Sequence, residues 1–155
     1  MDILGPKLGP IIFQFPLFDR WKFPKQDSFL AVLVAFLKKL PTDHKFVIEI
    51  RNKTWLDARF ADVLREYNVA LALTDTSFMP RPWELKQKFD LVTADFCYVR
   101  WLGDRTSDME NWVDIFKSLV SNTKVLKIFA FSNNHYAGHG PATARLFWDL
   151  WNKKQ

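Results

Sequence analysis

With one cysteine, Cys97, in 155 residues, the chain cannot form an internal disulfide. Cys97 lies within the apolar run Phe96–Trp101 and reads as a buried structural thiol, which gives redox chemistry little support. No apolar run approaches the ~20 residues needed to cross a bilayer. The start, Met1–Pro10, lacks a charged-then-apolar secretory pattern, so the expected location is cytoplasmic. Nucleophile elbow, Walker loop and full dinucleotide fingerprint are all missing, and no cofactor is expected. Low-complexity segments and interdomain linkers are also missing, which leaves residues 1–155 as one domain.

What is present is a core. Hydrophobic residues make up 48% of the chain and aromatic residues 16%, enough for a well-packed domain and too much for general disorder. The net charge is +5, from 22 Lys and Arg against 17 Asp and Glu. That excess permits nucleic-acid binding, but the basic residues are spread along the chain, which favours a solvated surface.

Five β-then-α units follow one another. The predicted strands are Ile11–Phe15, Lys45–Ile50, Val69–Leu73, Phe96–Trp101 and Val125–Phe131, each apolar with little strict alternation, as buried parallel strands are. Helical spacing follows Asp27, a candidate N-cap, as far as Leu40, and resumes from Asp57 to Asn68. Between Thr74 and Asp95 only Trp83–Lys88 hints at a helix, and a loop of that length often covers a site. Ser107 and Glu110 have capping-box spacing ahead of a helix through Val120, and the last helix runs from Pro141 to about Trp151. The pattern requires a parallel sheet with right-handed crossovers. Five units are too few for a closed eight-stranded barrel, and they leave either an open sheet or an incomplete barrel.

Period-2 parity puts Val47, Glu49 and Arg51 on one side of the second strand and Phe46, Ile48 and Ile50 on the other. By the same rule Gln14 goes with Ile12, Asp75 with Leu71 and Leu73, Arg100 with Tyr98, and Asn133 with Phe129 and Phe131. In each strand the polar residue comes late. Ligands in parallel α/β proteins sit beyond the carboxyl ends of the strands, so these residues are expected to gather around one pocket. Arg51 and Arg100 supply fixed charge for a phosphate or carboxylate, and the turn Gly138–Pro141 offers free N–H groups at a helix start. Glu49 and Asp75 are the best acid or base carboxylates, and His135 the best imidazole.

Each assignment has a plainer alternative. The charged residues could pair with one another, because a lone buried charge costs several kcal/mol. Gly138 and Gly140 could serve only the backbone path of their loop. Trp55, Trp83 and Trp101 could pack the core beside loops instead of lining a pocket. His135 and His139 flank a glycine and have no third ligand at diagnostic spacing, so no metal site is assigned.

Taken together, four motifs resemble the YecE-like family of unknown function. They are Leu8–Pro16 (LGPIIFQFP), Glu49-Ile50-Arg51-Asn52 with Trp55, Tyr98-Val99-Arg100-Trp101 with Gly103, and Phe131–Tyr136 with Gly138. The resemblance implies a TIM-barrel-like fold of which these five units are the fourth to eighth strands. It also adds Asn52, Trp55, Trp101, Gly103, Asn134 and Gly138 to the candidate ligand-binding set, with Gly103 and Gly138 in loops where such barrels frequently hold phosphate. The family's Gly-Thr-Ser-Gly-Trp-like first strand and its next two strands have no counterpart here. Histidine is also common in the family where Leu102 stands. The expectation is therefore a partial barrel that binds a small anionic ligand, with a missing amino-terminal half or a second copy as its partner. The alternatives are a nucleic-acid-binding or processing protein and an inactive truncated fragment.

Overall fold

A computed structural model describes residues 3–102, 106–133 and 140–154. Its strands are β1 (Ile11–Gln14), β2 (Phe46–Glu49), β3 (Ala70–Asp75), β4 (Phe96–Trp101) and β5 (Lys127–Ser132). Each is followed by a helix: α1 (Gln26–Leu37), α2 (Ala58–Glu66), α3 (Pro82–Lys86), α4 (Met109–Val120) and α5 (Gly140–Lys153). All strand pairs are parallel, and the sheet order is β1-β2-β3-β4-β5, the consecutive order of a barrel wall. The fold is α/β, a partial TIM-barrel-like arrangement of five units.

Local chemistry explains the boundaries. Asp57 caps α2, its carboxylate accepting from the Phe60 N–H at 2.9 Å, and the chain leaves that helix through Asn68 at φ 52°, a left-handed conformation that asparagine tolerates. Asp27 is not a cap. Helix α1 begins at Gln26, whose amide donates to the Trp55 carbonyl and to Asp57 Oδ1, both at 3.0 Å, while Asp27 pairs with Arg59. The box expected from Ser107 and Glu110 does not form either. Asp108 stands at the N-cap of α4 without a side-chain cap, because its carboxylate faces Arg81 Nη2 at 3.2 Å.

The stretch after β3 is not a bare loop. It holds α3 and then packs Phe89, Leu91, Val92 and Ala94 into the protein. The Thr93 hydroxyl donates to the Val69 carbonyl and accepts from the Leu71 N–H, both at 2.8 Å, so it binds the segment to β3 like an extra rung.

Parity divides the sheet as the sequence pattern requires. Facing the helices are Phe46, Ile48, Ile50, Leu71, Leu73, Cys97, Val99 and Trp101, packed against side chains such as Leu33, Phe60, Leu64 and Trp112. Each fully buried side chain of this kind contributes about 2 kcal/mol relative to an exposed position. The opposite face carries Val47, Ala70, Ala72, Phe96 and Tyr98, with Ile12 and Phe129 alongside, and among the described residues no helix residue joins that cluster. β2 and β3 are buried throughout, whereas β1 and β5 are the edges. The expectation of a buried last strand is thus corrected. Among the described residues β5 pairs with β4 alone, and Phe131 is left 49% exposed.

Candidate functional site

At the carboxyl ends of the strands, the helix-free face carries a row of polar side chains. Gln14 of β1 stands in register with Glu49 of β2, and its Nε2 donates to Glu49 Oε1 at 2.8 Å. The second oxygen, Oε2, is ion-paired with Nη1 of Arg100 on β4. These two charges reach across β3, where Ala72, level with Glu49, offers only a methyl group and Thr74 stands level with Arg100. The Glu49 side chain is 5% exposed and that of Arg100 25%, so the carboxylate is sealed in while the guanidinium still meets solvent.

Tyr98 stands one pleat below Arg100 on the same face, directly opposite Ala72 and Phe129. Its ring lies 5.2 Å from that of Phe131 at a 34° tilt. Burial raises the pKa of its phenol, Arg100 lowers it and Glu49 raises it, so the group feels both members of the ion pair. Tyr98 and Phe131 enter the sequence reading as parity markers and as members of the family-like motifs, not as candidate site residues. They are apolar in pattern, and only the placement of their rings beside the polar row connects them with it.

The structure does not bring every candidate to this row. Asp75 lies on the helix side, 2% exposed, with Oδ1 ion-paired to Arg81 Nη1 and Oδ2 accepting from the indole N–H of Trp112 at 3.1 Å. The strand extends two residues past Leu73, and the pleat then turns the Asp75 side chain away from Glu49. Trp101 shares that side, packed on Trp112, Phe116 and Phe147 with ring centroids 5.9, 5.9 and 5.1 Å away. Trp55 belongs to a ring cluster with Phe18, Phe23 and Phe29. Asn52 is a bracket: its Nδ2 donates to the Phe18 carbonyl and its Oδ1 accepts from the Phe18 N–H, each at 2.9 Å. For Asp75, Trp55 and Asn52, then, contacts within the fold account for the polar or aromatic side chain; the ring of Trp101 is packed in the same way, but its buried indole N–H has no hydrogen-bond partner among the described residues.

Arg51, just beyond β2, is exposed and makes no ion pair among the described residues. Asn133 follows β5, exposed, and its N–H donates to the Trp101 carbonyl at 2.8 Å. Gly103, Asn134, His135 and Gly138 lie outside the described residues. Among the described residues no three of His, Cys, Asp and Glu gather as metal ligands. No helix there is long and apolar enough to cross a membrane. Burial pushes the Cys97 thiol up to about 12, which keeps it protonated and inert.

These features define an α/β protein of parallel βα units whose polar side chains meet at the carboxyl ends of the strands. The chain belongs to the DUF72 family, proteins of unknown function, whose sequence profile matches residues 1–155. A crystal structure at 2.20 Å of a DUF72 family protein, TM1631 from Thermotoga maritima, superposes with a TM-score of 0.70 at 18% sequence identity. The match covers 97% of this chain and 60% of that one, so the chain spans less than two thirds of that protein's length. None of the curated proteins matches.

Proposed function

We propose that the row at the carboxyl ends of the strands is an enzyme-type pocket for a small anionic ligand bearing phosphate or carboxylate. Within the DUF72 family, we infer from its motifs that the chain is YecE-like. The observation that carries the reading is the Glu49–Arg100 pair: a guanidinium fixed by one nitrogen, a quarter exposed, on a face whose apolar cluster includes no helix residue among the described residues. One nitrogen of Arg100 is committed to Glu49, and its other N–H groups can donate to an oxyanion. Because Glu49 neutralises much of that charge, Arg51 supplies the additional positive field. Gln14 and Asn133 offer amides, and Asn134, Gly103 and Gly138 remain in the ligand-binding set. Glu49 serves for proton transfer, with His135 as the candidate imidazole; Asp75, committed to Arg81 and Trp112, has no part in it.

The test is thermal unfolding with phosphate, sulfate, sugar phosphates and dicarboxylates, run on the wild type and on Arg100→Ala. An anion that raises the wild-type midpoint and leaves the variant unmoved supports the reading, since ligand at 100 times its Kd adds about 2.7 kcal/mol. If no anion stabilises the wild type more than the variant, the reading fails.

A second reading concerns the state in which the pocket works. β1 exposes Ile11, Ile12 and Phe13 in part, and β5 exposes Ala130 and Phe131, where edge strands normally carry blocking charges. On the helix side, an apolar groove of about 390 Å³ lies beside β5, lined by Val120, Leu126, Phe147, Trp148 and Trp151 among others. We infer that further parallel strands sit between β5 and β1 and complete the pocket. Light scattering and denaturation of this chain are the test. A stable monomer that unfolds cooperatively argues against the inference; self-association or non-cooperative unfolding supports it.

A further inference from the structure

Two loops at the carboxyl ends of the strands expose large apolar side chains that the fold does not use. Residues 15–25, after β1, leave Trp21 96% and Leu17 69% exposed, and Phe78 in the loop after β3 is 84% exposed. The backbone at Trp21 is firmly held. It tops a turn in which the Phe23 N–H donates to the Asp19 carbonyl at 3.1 Å and the Lys22 N–H to Asp19 Oδ1 at 2.9 Å. On either side of the turn Phe18 and Phe23 pack with ring centroids 4.9 Å apart, and both rest on Phe29 and Trp55. Asn52 and Trp55 tie this loop to the one after β2, on the side away from the open edge. Phe78 follows the central strand, so an open edge accounts for neither exposed tip. With β2 alone between them, β1 and β3 release their loops roughly 10 Å apart.

Cations lie beside these tips. Arg20 and Lys22 flank Trp21, Lys25 follows, and Arg51 and Lys53 stand in the loop after β2, all exposed and without an ion pair among the described residues. Residues 15–25 and 50–57 hold only two carboxylates, Asp19 and Asp57, and each accepts a hydrogen bond from a backbone N–H. We propose that this end of the sheet docks on an anionic bilayer surface, with Trp21, Leu17 and Phe78 entering the headgroup layer and the five cations facing lipid phosphates. Indole rings settle at that level of a bilayer, and basic side chains around an apolar tip add attraction to anionic lipid. Single-stranded nucleic acid suits the patch less well. It would stack on the two rings but find no use for Leu17, and residues 76–80 bring no charge to meet a phosphate. The inference goes beyond the anionic-ligand reading and uses neither Glu49 nor Arg100, so either can fail without the other.

The experiment is co-sedimentation with vesicles of phosphatidylcholine alone and of phosphatidylcholine and phosphatidylglycerol in equal parts, beside anisotropy with a labelled oligothymidine. The wild type is expected to partition onto the anionic vesicles only. Trp21→Ala combined with Phe78→Ser should lower the partition coefficient about tenfold. Arg20→Gln combined with Lys22→Gln should lower it by more than about tenfold at low salt, since each cation near such a surface contributes about fivefold. Val32→Ser, at an exposed apolar position on α1, should bind like the wild type. No binding to anionic vesicles, equal binding by the wild type and the Trp21→Ala, Phe78→Ser variant, or an equal loss in Val32→Ser overturns the proposal. Oligothymidine binding that Trp21→Ala abolishes, with vesicles ignored, assigns the patch to nucleic acid and overturns it as well. A second measurement isolates one side chain. The fluorescence difference between wild type and Trp21→Phe should move to shorter wavelength on adding anionic vesicles, and an unmoved difference counts against the proposal.

Discussion

Glu49 and Arg100, 51 positions apart in sequence, form an ion pair that spans a whole strand of the sheet. The strand between them is β3, and continuing the register Ile48–Leu71 by one step brings Glu49 level with Ala72. A side chain larger than a methyl group there would stand where the two charged groups meet.

Ala72→Leu is therefore expected to separate the pair. Overpacking should destabilise the protein by about 1–3 kcal/mol, and the stabilising response to anions should disappear with it. Chemical denaturation in the presence and absence of phosphate measures both effects. Equal responses in Ala72→Leu and wild type would mean that the pair does not depend on the small residue.

Removing only the cation leaves a buried carboxylate without its counter-charge. Arg100→Met should cost roughly 2 kcal/mol, less than a fully buried pair would, because the guanidinium is partly solvated. Adding Glu49→Gln to that variant should recover part of the loss. A double-mutant cycle in urea reports the coupling, and strictly additive effects would show that the two groups do not interact.

Asp75 offers the converse case. Asp75→Asn removes the charge facing Arg81 in a site where both groups are buried, and about 3 kcal/mol should go with it. Anion affinity of the remaining folded protein should be unchanged, since the side chain lies across the sheet from the polar row. A selective loss of anion affinity without loss of stability would place Asp75 in the pocket after all.

Cys97 predicts a pH effect with a definite sign. An unfolded thiol ionises near ~8.5, whereas burial pushes this one up to about 12. Between those values the unfolded chain has released a proton that the folded protein retains, so stability falls as pH rises. Cys97→Ala should show a shallower alkaline decline than the wild type in matched denaturation series. A thiol-specific reagent should label Cys97 only after unfolding.

Alternation along each strand made the two faces legible in the sequence: Val47 and Glu49 do separate from Phe46 and Ile48, as do Tyr98 and Arg100 from Cys97 and Val99. Parity alone cannot say which face meets the helices, however, and Asp75 fell on the side opposite the polar row for that reason. Its partner Arg81 sits six residues on, in a stretch with no periodicity to announce a fold. Capping signals misled at two helices: Arg59 takes the carboxylate of Asp27, and at α4 the N-cap falls on Asp108, one residue past Ser107, with its carboxylate turned to Arg81.

Asn52 grips the backbone of Phe18 on both sides of its α-carbon, giving to its carbonyl and taking from its N–H. Deamidation would replace the giving nitrogen with an oxygen and set it against that carbonyl, turning attraction into repulsion without altering the shape of the side chain. Slow chemical ageing at this one amide would then free the segment between β1 and α1, and stored protein would drift in behaviour while its sheet stayed whole.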